Sequence, residues 1–233
     1  MDNHQLVVHD HIKSPIAEAF RTLRTNIQFS KKDSQLKVVM FTSTGPAEGK
    51  STTAANTATA LSQSGKRVII ADCDFRKPVL HHIFSKPNRG WTNAFVEEIP
   101  LKDLIQETKV PNLHLLTSGP IPPNPSELLG SARMLSFLAE LKSQYDYVIL
   151  DSPPIVAVTD ACVLASQVDG VIMVIAAEKV RPEMAQHAKD LVLKANGRLL
   201  GVVLNRVEIL EEYSYYYYYY GEESQTKKRN ISK

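Results

Sequence analysis

Cysteine is scarce in this 233-residue chain, and long apolar runs are missing altogether. Cys73 and Cys162 stand far apart and form no metal-ligand spacing, which fits a reduced compartment. No stretch reaches about 18 uninterrupted apolar residues, so no segment is built to cross a bilayer as a helix. Met1 to Lys13 is polar and carries three histidines where a secretion signal would carry an apolar core. A cytoplasmic location is therefore expected, with any membrane association passing through a partner. An excess of one charge is also lacking. A formal charge of +2 gives no general case for nucleic acid or an anionic surface. The cluster Lys227-Lys228-Arg229 reads as a solvated tail.

What remains suits one α/β domain with a sizeable core, since 43% of residues are hydrophobic and 22% charged. We expect a mobile arm over 1–14, one folded domain over 15–210 and a flexible tail over 211–233. His4, His9 and His11 lie in the arm, where no scaffold would hold a metal. Pro15 to Phe29 has helical spacing, with Ile16, Ala19, Phe20, Leu23 and Ile27 on one side. Glu18, Arg21 and Arg24 follow one another at intervals of three and form a charged ridge. That ridge is either a solvated face or a subunit contact, because Arg forks pair well with a neighbour's carboxylates.

The chemistry gathers at three strand ends. Val38-Val39-Met40-Phe41 leads into Ser43-Thr44-Gly45-Pro46-Ala47-Glu48-Gly49-Lys50-Ser51-Thr52 and then a helix-forming stretch from Ala54. Strand, Gly-containing loop, Lys-Ser, helix is the setting of a phosphate-binding P-loop, whose N–H groups and helix N-terminus attract an oxyanion. Lys50 can reach β- and γ-phosphates, and Ser51 can ligate Mg²⁺. The general pattern places Gly six residues before the Lys. Thr44 stands there, with Gly45 beside it. A second apolar strand, Arg67 to Ala71, ends in Asp72-Cys73-Asp74-Phe75-Arg76. Asp72 and Asp74 would face one side of an extended run and can converge on a Mg²⁺–phosphate centre; a polar turn with helix-capping Asp is the plainer alternative. Tyr147-Val148-Ile149-Leu150-Asp151 has the Walker B form, a buried strand delivering one carboxylate.

Between these landmarks, a short helix is expected at Leu101 to Thr108, a strand at Leu113 to Leu116, and a stiff extended loop where four prolines fall within Pro120 to Pro125. One helix is expected from Ser126 to about Gln144. Asp160 reads as an N-terminal cap. Two further buried strands, Gly170 to Ile175 and Leu200 to Leu204, flank a helix from Pro182 to Ala195. Asn205 and Arg206 then either read a nucleotide base or form a plain turn. Seven of nine tyrosines fall within eight positions beside acidic residues: Tyr213, Tyr215, Tyr216, Tyr217, Tyr218, Tyr219 and Tyr220. Neither strand alternation nor helical periodicity accounts for them. The readings left open are a sticky aromatic tail or solvent-facing edge strand and a set of hydroxyl acceptors beside an ATP site, while the acidic neighbours oppose stacking on nucleic-acid bases.

These motifs resemble the bacterial tyrosine kinases (BY-kinases) of capsule and exopolysaccharide operons, and among them the separate cytoplasmic subunit of Gram-positive bacteria. The resemblance runs from Glu18 to Tyr220. Gly45 to Thr52 is similar to Walker A, Ile69 to Arg76 to Walker A′ and Val148 to Asp151 to Walker B. Glu18-Arg21-Arg24 looks like the family's oligomerisation motif, and Leu116 to Leu129 is also family-like. It implies a doubly wound, mostly parallel α/β sheet of the deviant-Walker, MinD-like P-loop type.

The resemblance further implies an ATP-dependent protein-tyrosine autokinase. Mg²⁺ would be held by Ser51, Asp74 and Asp151, and Lys50 would offset charge on the transferring group. Asp72 would orient or accept the tyrosine proton. Nucleotide contacts would come from Gly45, Glu48, Gly49, Lys50, Ser51, Thr52, Asn205 and Arg206. The autophosphorylation sites would be Tyr213, Tyr215, Tyr216, Tyr217, Tyr218, Tyr219 and Tyr220. Tails would be phosphorylated in trans around a homo-oligomeric ring that phosphorylation dissociates. The implied partners are a membrane-spanning adaptor that recruits and activates the chain at the inner face of the membrane, a cognate tyrosine phosphatase and protein substrates, with no nucleic acid. The competing class is a MinD- or ParA-like ATPase switch. Those proteins carry a second lysine five residues before the P-loop lysine, where this chain has Gly45.

Overall fold

Apolar runs too continuous for a half-exposed strand require cover on both faces, and here they form the middle of a parallel sheet. The computed structural model describes residues 6–30 and 36–208. β1 (Val38–Ser43), β2 (Val68–Asp72), β5 (Tyr147–Asp151) and β6 (Gly170–Ala176) are buried along their whole length. With β3 (Gln106–Glu107), β4 (Leu113–Leu116) and β7 (Leu199–Asn205) they make one seven-stranded sheet in the order β3-β4-β2-β5-β1-β6-β7. Every pairing is parallel except β3 with β4. The expected doubly wound, mostly parallel fold is what the chain adopts.

One face packs against α3 (Lys50–Ser62), whose Ala54, Ala55, Ala58 and Leu61 join Phe41, Ile70 and Ile149 in a single cluster. Small side chains let this helix lie close to the strands. The opposite face is covered by α5 (Trp91–Val96), α7 (Ala132–Gln144), α8 (Asp160–Ala165) and α9 (Pro182–Lys194) through Trp91, Met134, Leu164 and Val192.

Several expectations are corrected. The helix expected over Leu101 to Thr108 is one 3-10 turn, Leu101–Asp103, followed by β3, which pairs with the free edge of β4. The helix expected from Ser126 to Gln144 is two, α6 (Pro125–Leu129) and α7. Gly130 ends the first, and the Ser131 hydroxyl caps the second by accepting the Met134 N–H. Part of the expected loose arm is packed: α1 (Val7–Asp10) buries Val8, whose N–H donates to Asn56 Oδ1 at 3.0 Å. The Val8 carbonyl accepts from Gln63 Nε2, so polar side chains of α3 and its end hold this segment. α4 (Leu80–Ile83) was not foreseen.

α2 (Pro15–Phe29) has the expected bounds, and Leu23 and Ile27 of its expected apolar side pack against the core. Ala17 and Ile27 are buried, while Ile16 and Phe29 are exposed. Arg24 Nη1 donates to the Ala60 carbonyl of α3 at 3.2 Å, and Arg21 Nη2 donates to the Ile12 carbonyl at 2.6 Å. Arg21 also pairs with Glu18. The two arginines are thus engaged with carbonyls of their own chain, that of Ala60 lying in the last turn of α3, where carbonyls attract cations; Glu18 is the member of the ridge that faces water.

Candidate active site

Parallel strands end on the same side of the sheet, and register decides which side chains meet there. Asp72 and Asp151 are the last residues of β2 and β5 and are direct partners in the ladder. Phe41 on β1 pairs with Asp151 on its other side, shortly before the P-loop begins. The three motifs recognised in the sequence therefore converge at one point.

The P-loop spans Gly45 to Gly49 and feeds α3. Ala47 and Gly49 both have left-handed backbones, at φ 59 and 89. Gly49 has a second reason to lack a side chain: an added β-carbon would lie 2.1 Å from Asn205 Nδ2. That amide donates to the Glu48 carbonyl at 2.8 Å, so the end of β7 braces the loop. Asn205 thus lies against the P-loop. Arg206 follows it with a left-handed backbone at φ 60 and is exposed. Inside the loop, Glu48 Oε1 accepts from the Gly45 N–H and the Thr44 hydroxyl.

Lys50 lies at the centre and is buried. Its Nζ donates to Asp151 Oδ1 at 2.7 Å and to Ser51 Oγ at 3.1 Å, with Asp74 Oδ2 at 3.9 Å. Burial alone would lower its pKa; Asp151, Asp74 and Asp72 together outweigh burial and raise it. Lys50 is held as a cation by the carboxylates it would leave on meeting a phosphate.

Asp72 is sealed from solvent. Its Oδ2 accepts the N–H groups of Val79 and Leu80 at 3.0 Å, and its Oδ1 accepts that of Asp74 at 3.1 Å. Burial first, then repulsion from Asp151, pushes its pKa up to about 8. Asp74 is less deeply buried, its pKa raised by burial against the pull of Lys50. Asp160, expected as a helix cap, instead receives Arg76 in a two-pronged pair, Nε to Oδ2 at 2.9 Å and Nη2 to Oδ1 at 3.0 Å. Thr159 occupies the cap position. The pair ties the loop after β2 to the segment after β5. Its partners lie 84 residues apart, beyond any local pattern.

Asp151 Oδ2 is buried and has no hydrogen-bond partner among the described residues. An orphaned carboxylate oxygen beside a serine hydroxyl and a second carboxylate is an all-oxygen donor set, which suits a hard divalent cation. No group of three or more His, Cys, Asp or Glu is arranged as a metal cage among the described residues. Glu18, Arg21 and Arg24 belong to α2, away from these strand ends. The expected phosphate acceptors Tyr213, Tyr215, Tyr216, Tyr217, Tyr218, Tyr219 and Tyr220 all lie outside the described residues.

Comparison with known proteins agrees with this geometry. Residues 36–186 match a family model described as an AAA domain. The putative tyrosine-protein kinase CapB of Staphylococcus aureus is 45% identical over 211 residues, covering 90% of this chain and 92% of CapB. The crystal structure of the chimerical protein CapA2B2 superposes with a TM-score of 0.84 at 40% identity, over 88% of this chain and 90% of the other. The septum site-determining protein MinD of Pyrococcus horikoshii has a TM-score of 0.62 at 21% identity, over 78% of this chain and 76% of its own, a likeness of fold alone. With three nucleotide motifs converging on one buried lysine, and with relatives this close over nearly the whole length, the chain belongs to the bacterial tyrosine-protein kinases built on a MinD-like P-loop fold.

Proposed function

We infer that the chain is an ATP- and Mg²⁺-dependent autokinase that phosphorylates its own tyrosine tail in trans, together with other proteins, and so regulates capsule or exopolysaccharide production. The observation that carries this reading is the buried Lys50–Asp151 contact beside the orphaned Asp151 Oδ2. A phosphate arriving in the P-loop would draw Lys50 away from Asp151. Ser51, Asp74 and Asp151 would then hold Mg²⁺, whose positive charge offsets the phosphoryl oxygens. Gly45 to Thr52 would cradle the phosphates through backbone N–H groups, and Asn205 and Arg206 would flank the base.

A tyrosine hydroxyl, with a pKa near 10, must lose its proton as it attacks. The raised pKa of Asp72 suits it to accept or orient that proton at its carboxyl oxygen. In the described conformation Asp72 is covered, so this role requires the 74–80 loop to open. The kinase domain would extend over 15–210. The tail over 211–233 would supply the acceptors Tyr213, Tyr215, Tyr216, Tyr217, Tyr218, Tyr219 and Tyr220.

Three partners complete the proposal. Glu18, Arg21 and Arg24 would contribute to a ring of identical subunits. A membrane-spanning adaptor would hold the chain at the inner face of the membrane and activate it, because no helix among the described residues is long and apolar enough to cross a bilayer. A cognate phosphatase would return the tail to its unmodified state. The rival MinD- or ParA-like switch is disfavoured by Gly45, which stands where that class has its second lysine. Mapping phosphosites after incubation with Mg-ATP and an adaptor fragment tests the reading: phosphate on tail tyrosines supports it, and ATP hydrolysis without phosphotyrosine would favour the switch.

A further inference from the structure

The P-loop surroundings are strongly acidic for a site meant to receive polyphosphate. Asp74 and Asp151 are buried beside Lys50, the single buried cation among the described residues, and Glu48 is buried within the loop. A bound Mg²⁺ would offset part of that imbalance, but Glu48 lies within the loop itself, and its Oε2 has no hydrogen-bond partner among the described residues. Electrostatics therefore calls for a second cation at the loop, and none of the three nucleotide motifs places another one against it.

The segment joining β6 to α9 supplies one. Ala177 N–H donates to the Asn205 carbonyl at 2.7 Å, which anchors the segment to the strand that braces Gly49. The next residue, Glu178, has a left-handed backbone at φ 61, a conformation unfavourable for a residue with a β-carbon. The turn folds the chain back, with the Lys179 N–H donating to the Ala176 carbonyl at 3.4 Å. The Lys179 side chain then crosses to the P-loop, where its Nζ approaches the Pro46 carbonyl at 3.5 Å. Pro46 follows Gly45, the position that a second lysine would fill in the rival ATPase class. Lys179 is exposed and makes no ion pair with a carboxylate among the described residues, so its charge is available to a ligand.

We propose that Lys179 is a phosphate-binding residue, a cation supplied in cis from outside the nucleotide motifs, that favours a nucleoside triphosphate over a diphosphate. This rests on the reading of the P-loop as an ATP site. Its chemistry is that of a lysine ammonium, a point charge on a flexible stem that can leave a carbonyl for an anionic oxygen.

The test is equilibrium binding of the non-hydrolysable β,γ-imido analogue of ATP and of ADP, each with Mg²⁺, to the full chain. Wild type, Lys179→Gln and Lys179→Arg are compared, with thermal melts to verify folding. Lys179→Gln should weaken the triphosphate analogue about tenfold, as expected for loss of one charge-assisted contact. It should change ADP affinity by less than about twofold, and Lys179→Arg should restore most of the loss, since both are cations. Equal losses for the two nucleotides, or no loss for either, would overturn the assignment of Lys179 while leaving the P-loop reading intact. Wild-type protein that binds neither nucleotide even with an adaptor fragment present would overturn both.

Discussion

Lys50 donates to Asp151 at 2.7 Å with both side chains buried, so the residue expected to face phosphate is part of an internal ion pair. The sequence suggests a lysine free to be replaced without structural cost. The structure does not, because removing one partner of a buried pair leaves the other charge uncompensated.

Lys50→Met is therefore expected to abolish tyrosine phosphorylation and also to lower stability by about 3 kcal/mol in the absence of ligands. Adding Asp151→Asn to Lys50→Met should recover much of that stability while leaving activity absent. Urea unfolding of the four proteins of this cycle measures it, and additive losses would show that the pair is not coupled.

Asp169 offers a pH-dependent test far from the chemistry. Its Oδ2 accepts the N–H groups of Lys37 and Val38 at 2.9 Å, and its Oδ1 accepts Lys142 Nζ at 2.7 Å. Burial would raise its pKa, but these donors overcome burial and hold it below the usual carboxylate range. A depressed carboxylate stabilises the fold above its unfolded pKa, and that contribution fades as pH falls through the folded value. Asp169→Asn should cost about 1–2 kcal/mol at pH 7 and progressively less below about pH 4. A constant difference across the two conditions would assign the effect to packing.

The α2 ridge can be separated into its members. Glu18→Ala, at the solvent side, is expected to shift the unphosphorylated protein toward monomer without lowering its melting temperature. Arg24→Ala should lower it, because Arg24 secures α2 to the Ala60 carbonyl. Light scattering and calorimetry on both variants distinguish the roles. Unchanged mass for Glu18→Ala would return that residue to solvent.

The proposed adaptor is open to a reciprocal test. If an adaptor tail tightens ATP binding, ATP must tighten the tail by an equal factor, typically corresponding to about 1–3 kcal/mol. Peptide titrations with and without Mg-ATP measure that factor. Equal affinities would leave the adaptor as a tether.

The strand-borne part of the site was legible in the sequence because it depends on local pattern. An apolar run ending in Asp is a buried parallel strand with a carboxylate at its tip, and Asp72 and Asp151 sit in register for that reason. What the pattern could not carry is pairing across the chain. Arg76 and Asp160 look like independent loop residues until the fold joins them. Lys179 has no motif around it, and only the turn at Glu178 aims it at Pro46. The α2 ridge was incompletely read for a related reason. Spacing shows that Glu18, Arg21 and Arg24 share a stripe, but not that backbone carbonyls of the same chain would attract its arginines. Ser131 carried a usable signal, since a serine after a glycine often restarts a helix.

Transfer between chains tests the central claim most directly. A variant with phenylalanine in place of Tyr213, Tyr215, Tyr216, Tyr217, Tyr218, Tyr219 and Tyr220 serves as enzyme, and Lys50→Met, verified as folded, serves as acceptor. With Mg-ATP and an adaptor fragment, the mixture should accumulate phosphotyrosine on the Lys50→Met tail, while either protein alone should leave that tail unlabelled. A Lys50→Met protein that labels its own tail to the same extent, or a mixture in which wild-type enzyme is active but this pair yields no tail phosphotyrosine, would contradict it.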